Sequence, residues 1–279
     1  MGNWDAWIGR EERASDVATA AHARRWCATF DRIPTDDGPL PQGIHWCLCT
    51  PETPSTKLGR DGHPLREEGS LLPPVPLPRR MWAGSAIEFT RPIVAGQPVE
   101  RTTRVAAIEE KSGRSGSLAF VTLEHTFTAS GEVALRETQT LVFREEPPAD
   151  APPVPPTLSD AQFDPTGWDQ VERLTPDLPL LFRYSALTFN THRIHYDADY
   201  VRNVEGYRGA VVHGPLMASL LLQLAAREVG ENALRRFAFR ALGPAVAGEE
   251  IVLALARRDK LELGVFAADG REVMRAEAE

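Results

Sequence analysis

Cysteine is scarce. Cys27, Cys47 and Cys49 are the only three in 279 residues. An odd number with no C-x-x-C pair supplies neither a disulfide frame nor a zinc site, and reads as the reduced thiols of a cytoplasmic protein. Positive charge is also short: 31 Lys and Arg stand against 39 Asp and Glu, a net charge of -8. That excludes a non-specific nucleic-acid binder and leaves room only for a local basic patch. Long hydrophobic runs are missing. The longest apolar stretch, Leu216–Ala226, falls well below the roughly 20 residues of a spanning helix, so no membrane partner is expected. The opening "MGNWDAWIGREER" has no apolar centre and carries acids, unlike a secretory leader. Ala6 stands where a myristoylation signal after Gly2 would need Ser or Thr.

What is present is globular: 42% hydrophobic and 25% charged residues. Proline crowds Glu145–Asp160 ("EEPPADAPPVPPTLSD"), which reads as an extended, semi-rigid linker. It separates an N-terminal domain, 1–144, from a C-terminal domain, 161–279. The halves share a pattern. "RPIVAGQPV" (Arg91–Val99) and "GPAVAGEEI" (Gly243–Ile251) carry Pro, then Val-Ala-Gly, at the same spacing, and strand-like stretches follow each. Duplication is the expectation. A short helix with Ser15 as its N-cap opens the first half. Strands such as "RTTRVAAIEE", "SLAFVTLEHTFTA" and "VALRETQTLVFRE" close it. The second half has "RRFAFRALG", "EEIVLALARR" and "KLELGVFAA" as strands around one apolar helix, giving an α+β class.

That helix is "HGPLMASLLLQLAAREVG". Pro215 suits a first turn and Gly230 a C-terminal cap. Apolar residues cover nearly every side until Arg227, so it must be buried, with a sheet around it. Its first N–H groups have no intrahelical partner and can hold a developing oxyanion, with Gly214 leaving the approach open.

"YSALTFNTHRIHYD" (Tyr184–Asp197) followed by "VVHGPLMASLL" (Val211–Leu221) resembles the MaoC-like enoyl-thioester hydratases, whose signature runs Y-x-x-L-S/T-G-D-x-N-P-x-H and then V-x-H-G-x-L-x-A-S-L. The first half, with "PLPRRMWAGSAIEFTRPIVAGQPV", is similar to the N-terminal partner domain of the mesaconyl-C4-CoA and itaconyl-CoA hydratase group. The resemblance implies a double hot-dog fold: two antiparallel sheets, each wrapped round a central helix. Three positions depart from the signature: Asn190 replaces Asp, His192 replaces Asn, and Arg193 replaces Pro. In the first half "TFDRIPTDDG" has no histidine, so that copy is expected to be a non-catalytic scaffold.

The implied chemistry is reversible addition of water to an enoyl-CoA. His195 is the expected base, and the Gly214 N–H the oxyanion donor. Asn190 would orient the water or substrate. Asp197 would orient the His195 ring, and His192 would stand behind it. Arg193 is expected to hold a dicarboxylyl substrate's free carboxylate. Arg79 and Arg80 are expected at the CoA phosphates, Trp82 on the adenine, and Tyr184 at the substrate. His192, His195 and Asp197 also raise a metal site, but histidines three apart share a face only on a helix, and no metal or separate cofactor is expected. Two rivals stay open: a (3R)-hydroxyacyl-thioester dehydratase of fatty-acid synthesis, and an acyl-CoA-binding hot dog without catalysis. Two hot dogs in one chain leave a homodimer as an optional further assembly.

Overall fold

Burial alternates residue by residue along Gly116–Ala129, where Ala119, Val121, Leu123, His125, Phe127 and Ala129 face inward. This period of two makes a strand covered on one face. The computed structural model describes every residue except 1–3, 35–37, 114–115, 147, 149 and 153. Its first half runs β1 (Glu11–Val17), α1 (Ala20–Thr29), β2 (Arg79–Phe89), β3 (Pro98–Gly113), β4 (Gly116–Ala129) and β5 (Glu132–Arg144). The second runs β6 (Gln170–Leu174), α2 (Leu178–Thr188), α3 (Ala198–Asn203), α4 (Gly214–Val229), β7 (Arg236–Ala241), β8 (Ile251–Arg257), β9 (Leu261–Ala267) and β10 (Glu272–Ala278).

The class is α+β and the fold a double hot dog, with a first difference from expectation in the sheets. The two sheets are a single ten-stranded sheet, in the order β1-β3-β4-β5-β2-β7-β10-β9-β8-β6. β2 pairs antiparallel with β7, Gly84 opposite Arg240 and Ile87 opposite Phe237. Gly84 is required at this seam, because a Cβ there would lie 2.4 Å from the Phe239 carbonyl oxygen.

The duplicated turns occupy equivalent places. Val94 and Val246 each form an isolated bridge, to Pro39 and to Val211. Gly96 and Gly248 follow with φ of +90° and +86°. The Leu40 N–H donates to Ile93 C=O as the Val212 N–H donates to Ala245 C=O. This register aligns Leu40 with Val212, and so aligns the first turns of α4 with the four-residue 3₁₀ turn Ile44–Cys47. The central helix expected in the first half is therefore reduced to one turn. The chain then continues irregularly to β2, with one further 3₁₀ turn at Ser55–Lys57. The physical reason is plain in the residues: prolines at 51, 54, 64, 73, 74, 76 and 78 leave no room for a second apolar helix.

α4 is as the sequence implies, buried from Pro215 to Ala225 apart from Leu220, and capped by Gly230, whose N–H donates to Ala226 C=O. It packs on β8, β9, β10 and β2, so one core runs beneath the seam and includes Ile87, Phe127, Leu221 and Phe237. The opening helix starts later than Ser15. Ser15 lies in β1 opposite Glu100, and Thr19 is the N-cap, in a capping box with His22. The described part of the linker is laid on the second half: the Val154 N–H donates to Gly206 C=O, and the Arg208 N–H to Val154 C=O. No helix among the described residues is long and apolar enough to cross a membrane.

Leu221 is fully buried in α4. Leu221→Ala should cost about 2–5 kcal/mol of stability, the usual range for a buried leucine, read as a lowered denaturant midpoint.

Candidate active site

The loop after α2 is shaped by local bonds. Asp177 caps α2, its Oδ1 accepting from the Leu180 N–H at 2.9 Å. Phe189 ends the helix at φ +49°. Asn190 Oδ1 then accepts the His192 N–H at 2.9 Å, turning the chain into the 3₁₀ turn Arg193–His195. His195 Nδ1 lies 2.7 Å from the Val211 carbonyl. A carbonyl only accepts, so Nδ1 carries the hydrogen and Nε2 keeps its lone pair. The His195 ring stacks on His213, centroids 3.5 Å apart. His213 is the residue before α4, and its Nε2 is 2.8 Å from Ser185 Oγ. Next comes Gly214. A Cβ built there would meet nothing nearer than the Trp82 carbonyl, at 4.0 Å, so its side of the helix start is open.

Burial keeps these imidazoles neutral. It drives His195 down to about 3, against the pull of the Val211 carbonyl. His192 and His213 are held well below their ordinary value by burial and by the neighbouring histidines.

A first-half segment that the sequence reading passed over completes the site. The loop "RDGHP" docks on the Asn190–His195 loop: the Arg193 N–H donates to Asp61 C=O at 2.9 Å, and Thr191 Oγ1 to Gly62 C=O at 2.5 Å. Gly62 has φ +88°, and a Cβ there would fall 1.9 Å from the Thr191 carbonyl oxygen, so only glycine permits the contact. His63 Nδ1 donates to Asp61 Oδ2 at 2.8 Å, and its ring lies 4.1 Å from that of His192. Burial and then the charge of Arg80 lower His63 to about 4. A His between Asp-Gly and Pro was the available signal.

These groups border a cavity of about 890 Å³. His63, Arg80 and Trp82 line it from the first half, and Asn190, His195 and Gly214 from the second. Farther along, the first-half sheet offers polar groups where a helix would have covered it. His125 sits between Thr103 Oγ1 (2.9 Å) and Gln139 Oε1 (3.2 Å). Burial alone would raise the Glu137 carboxyl, yet hydrogen bonding and charge from His45 hold it below its ordinary value.

Several expected roles move. Arg193 does not line the cavity; its guanidinium pairs with Asp197 at 2.6 Å and covers Tyr200 at 4.2 Å. Asp197 also caps α3 by accepting the Tyr200 N–H, so the Val211 carbonyl, not Asp197, orients His195. Arg79 lines the same cavity but is buried, its Nε paired with Glu205 at 2.6 Å. Arg80 lines the cavity half-buried, and desolvation there lowers it to about 10. Tyr184 is fully buried and bonds Ser219 rather than lining the cavity. Trp82 lines the cavity, but its Nε1 donates to Ser85 Oγ and its ring meets Trp46 and Phe239. It forms a wall beside Gly214. His192 stands between His63 and His195, 5.5 Å from the latter. Among the described residues the donor set close enough for a cation is Asp61, His63 and His192, not the trio weighed from sequence. Both Asp61 oxygens already accept from His63.

The family model for hydroxyacyl-thioester dehydratase type 2 matches residues 43–247, across both halves. The chain belongs to that family. Among this dehydratase family's relatives, a mesaconyl-C(4)-CoA hydratase of Chloroflexus aurantiacus is 42% identical over 99% of this chain and 98% of its own. The mitochondrial hydroxyacyl-thioester dehydratase type 2 of Schizosaccharomyces pombe is 26% identical over 87% of this chain and 85% of its own. A MaoC-like dehydratase structure from Phytophthora capsici shares the fold at 14% identity, with a TM-score of 0.70, covering 99% of this chain and 98% of that one.

The buried histidines set a pH dependence. Unfolded imidazoles bind protons below about pH 6.5, while His63 and His195 stay neutral down to about 4 and about 3. The unfolded state then holds more protons, so stability falls as pH drops below about 6.5. Thermal melting should show a lower midpoint at about pH 5 than at about pH 7; a level midpoint would contradict the neutral cluster.

Proposed function

We propose that this protein reversibly adds water to a short branched dicarboxylyl-CoA, itaconyl-CoA or mesaconyl-C4-CoA, giving citramalyl-CoA. The observation that carries the reading is one cavity holding three groups: the free Nε2 of His195, the open helix start at Gly214, and the half-buried Arg80 guanidinium. The relationship to the Chloroflexus hydratase supports the same reading.

The geometry gives each group a task. His195 presents a basic nitrogen to the attacking water, and the Asn190 amide holds water or substrate. As the β-carbon gains oxygen, charge builds on the thioester oxygen, where the Gly214 N–H receives it with the dipole of α4 behind. Arg80 neighbours one anion, Asp61, and one further cation, Arg66. A substrate carboxylate balances this excess, so the carboxylate role assigned from sequence to Arg193 passes to Arg80. A long aliphatic chain would instead meet His125 and Glu137 on the first-half wall, which disfavours the fatty-acyl alternative. The poised His195–Gly214 pair disfavours a site for binding alone. CoA enters as part of the substrate, and no separate cofactor is invoked. Three free buried thiols agree with a cytoplasmic setting, and a homodimer is compatible with one site per chain.

Hydration of crotonyl-, itaconyl- and mesaconyl-CoA by the purified protein tests the reading. His195→Ala should lower kcat by about 10²–10⁴-fold, the usual loss for a residue that handles the reacting water; a wild-type rate would end the assignment. Arg80→Met should lower kcat/KM for the dicarboxylyl substrates by about 10²-fold, as loss of a buried charge partner does, and spare crotonyl-CoA. Asn190→Ala should slow every substrate. Asn190→Asp should be better tolerated on crotonyl-CoA than on a dicarboxylyl substrate, where like charges repel.

A further inference from the structure

The site holds more proton-accepting capacity than His195 alone supplies. Asn190 cannot take a proton, and His195 is backed only by a carbonyl. An imidazolium formed at His195 would be buried without an anion against it. His63 has that anion. Asp61 grips it twice, Oδ1 accepting its backbone N–H at 3.0 Å and Oδ2 its Nδ1–H at 2.8 Å. The tautomer is thereby set, and Nε2 keeps its lone pair, with no hydrogen bond to any described residue. The docking of this loop on the catalytic loop uses the backbone of Asp61 and Gly62, so it does not need the imidazole. Yet the ring lines the cavity and lies against His192, the neighbour of His195.

We propose that His63, oriented by Asp61, is a second catalytic residue of this site and carries the proton of the reaction. The proposal rests on the hydration reading above. In the addition, one O–H bond of water breaks, its oxygen bonds to the β-carbon, and the proton goes to His63 Nε2. The π electrons move to the thioester oxygen at the Gly214 N–H. The proton on His63 then bonds to the α-carbon, the carbonyl re-forms, and the imidazole returns to neutral. His195 Nε2 holds the same water through its other hydrogen. Asp61 stabilises the transient imidazolium, as a carboxylate behind a histidine does in other dyads. The first half is then more than a scaffold.

The test is steady-state hydration by the full chain, with folding checked by circular dichroism and melting temperature. His63→Ala should lower kcat by about 10²–10⁴-fold with KM changed far less, and added imidazole should restore part of the rate. His63→Gln keeps a donor toward Asp61 but no basic nitrogen, and should be as slow. Asp61→Asn should cost less, and should add nothing in the His63→Ala background, because the two act as a unit. Wild-type kcat in either His63 variant would overturn the proposal, as would a loss confined to KM or a folded His63→Ala enzyme that imidazole fails to rescue. Activity abolished by a chelator and restored by a divalent ion would overturn it too, by making these side chains a cation site. A wild-type protein that hydrates no enoyl-CoA would instead remove the hydration reading itself.

Discussion

The pairing of β2 with β7 is the contact on which the rest depends. It joins two five-stranded sheets into one and is a backbone ladder, so it tolerates little beyond glycine at Gly84. The register slips between Trp82 and Gly84 in the pairing with β5, and such an irregularity re-aims the strand beside it. The Trp82 carbonyl consequently faces the start of α4, and Arg80 comes to the cavity two residues earlier. Side-chain pairs along the seam matter less. Arg236 and Glu88 meet at 3.1 Å but are exposed, and exposed pairs contribute little.

The electrostatics of the cavity follow from burial. Four histidines, His63, His192, His195 and His213, are packed around the Asn190–His195 loop with few carboxylates to support a charge, so they stay neutral. Neutral imidazoles can draw a proton from water; imidazoliums could not. The permanent positive charge comes from arginine, which burial barely discharges. Arg66 adds to it while lying over the Phe143 ring at 4.6 Å. Proton carriers and anion holders are thus different residue types within one space.

Much of this was legible in the sequence, and the failures have physical causes. α4 announced itself because an all-round apolar pattern, Pro215 and Gly230 agree. The Val-Ala-Gly turns were readable because positive φ at Gly96 and Gly248 demands glycine. His195 and Gly214 could be placed on motif spacing alone. Roles that depend on long-range pairing could not. Arg79 looks free in sequence, and only folding reveals Glu205 as its partner; Arg193 and Asp197, four residues apart, pair locally, which the motif spacing did not show. Asp61 and His63 lie about 130 residues from the loop they meet, in a stretch without periodic pattern, so only the His between Asp-Gly and Pro marks them locally. The missing first-half helix was hidden for a similar reason: a pattern expected by symmetry is hard to see as absent.

That missing helix has a consequence for how such a site can evolve. In a dimer of identical hot dogs every substitution appears twice, so an enlargement of the pocket also loosens the core that supports it. Fusing the copies breaks this coupling. Here one copy keeps its helix and the rigid frame around His195, while the other, freed from that duty, shortens its helix to four residues and opens a chamber. The first-half wall away from Asp61, His63 and Arg80 can then drift in shape and polarity while the frame around His195 is kept, and new acyl groups are accommodated by changing one half alone.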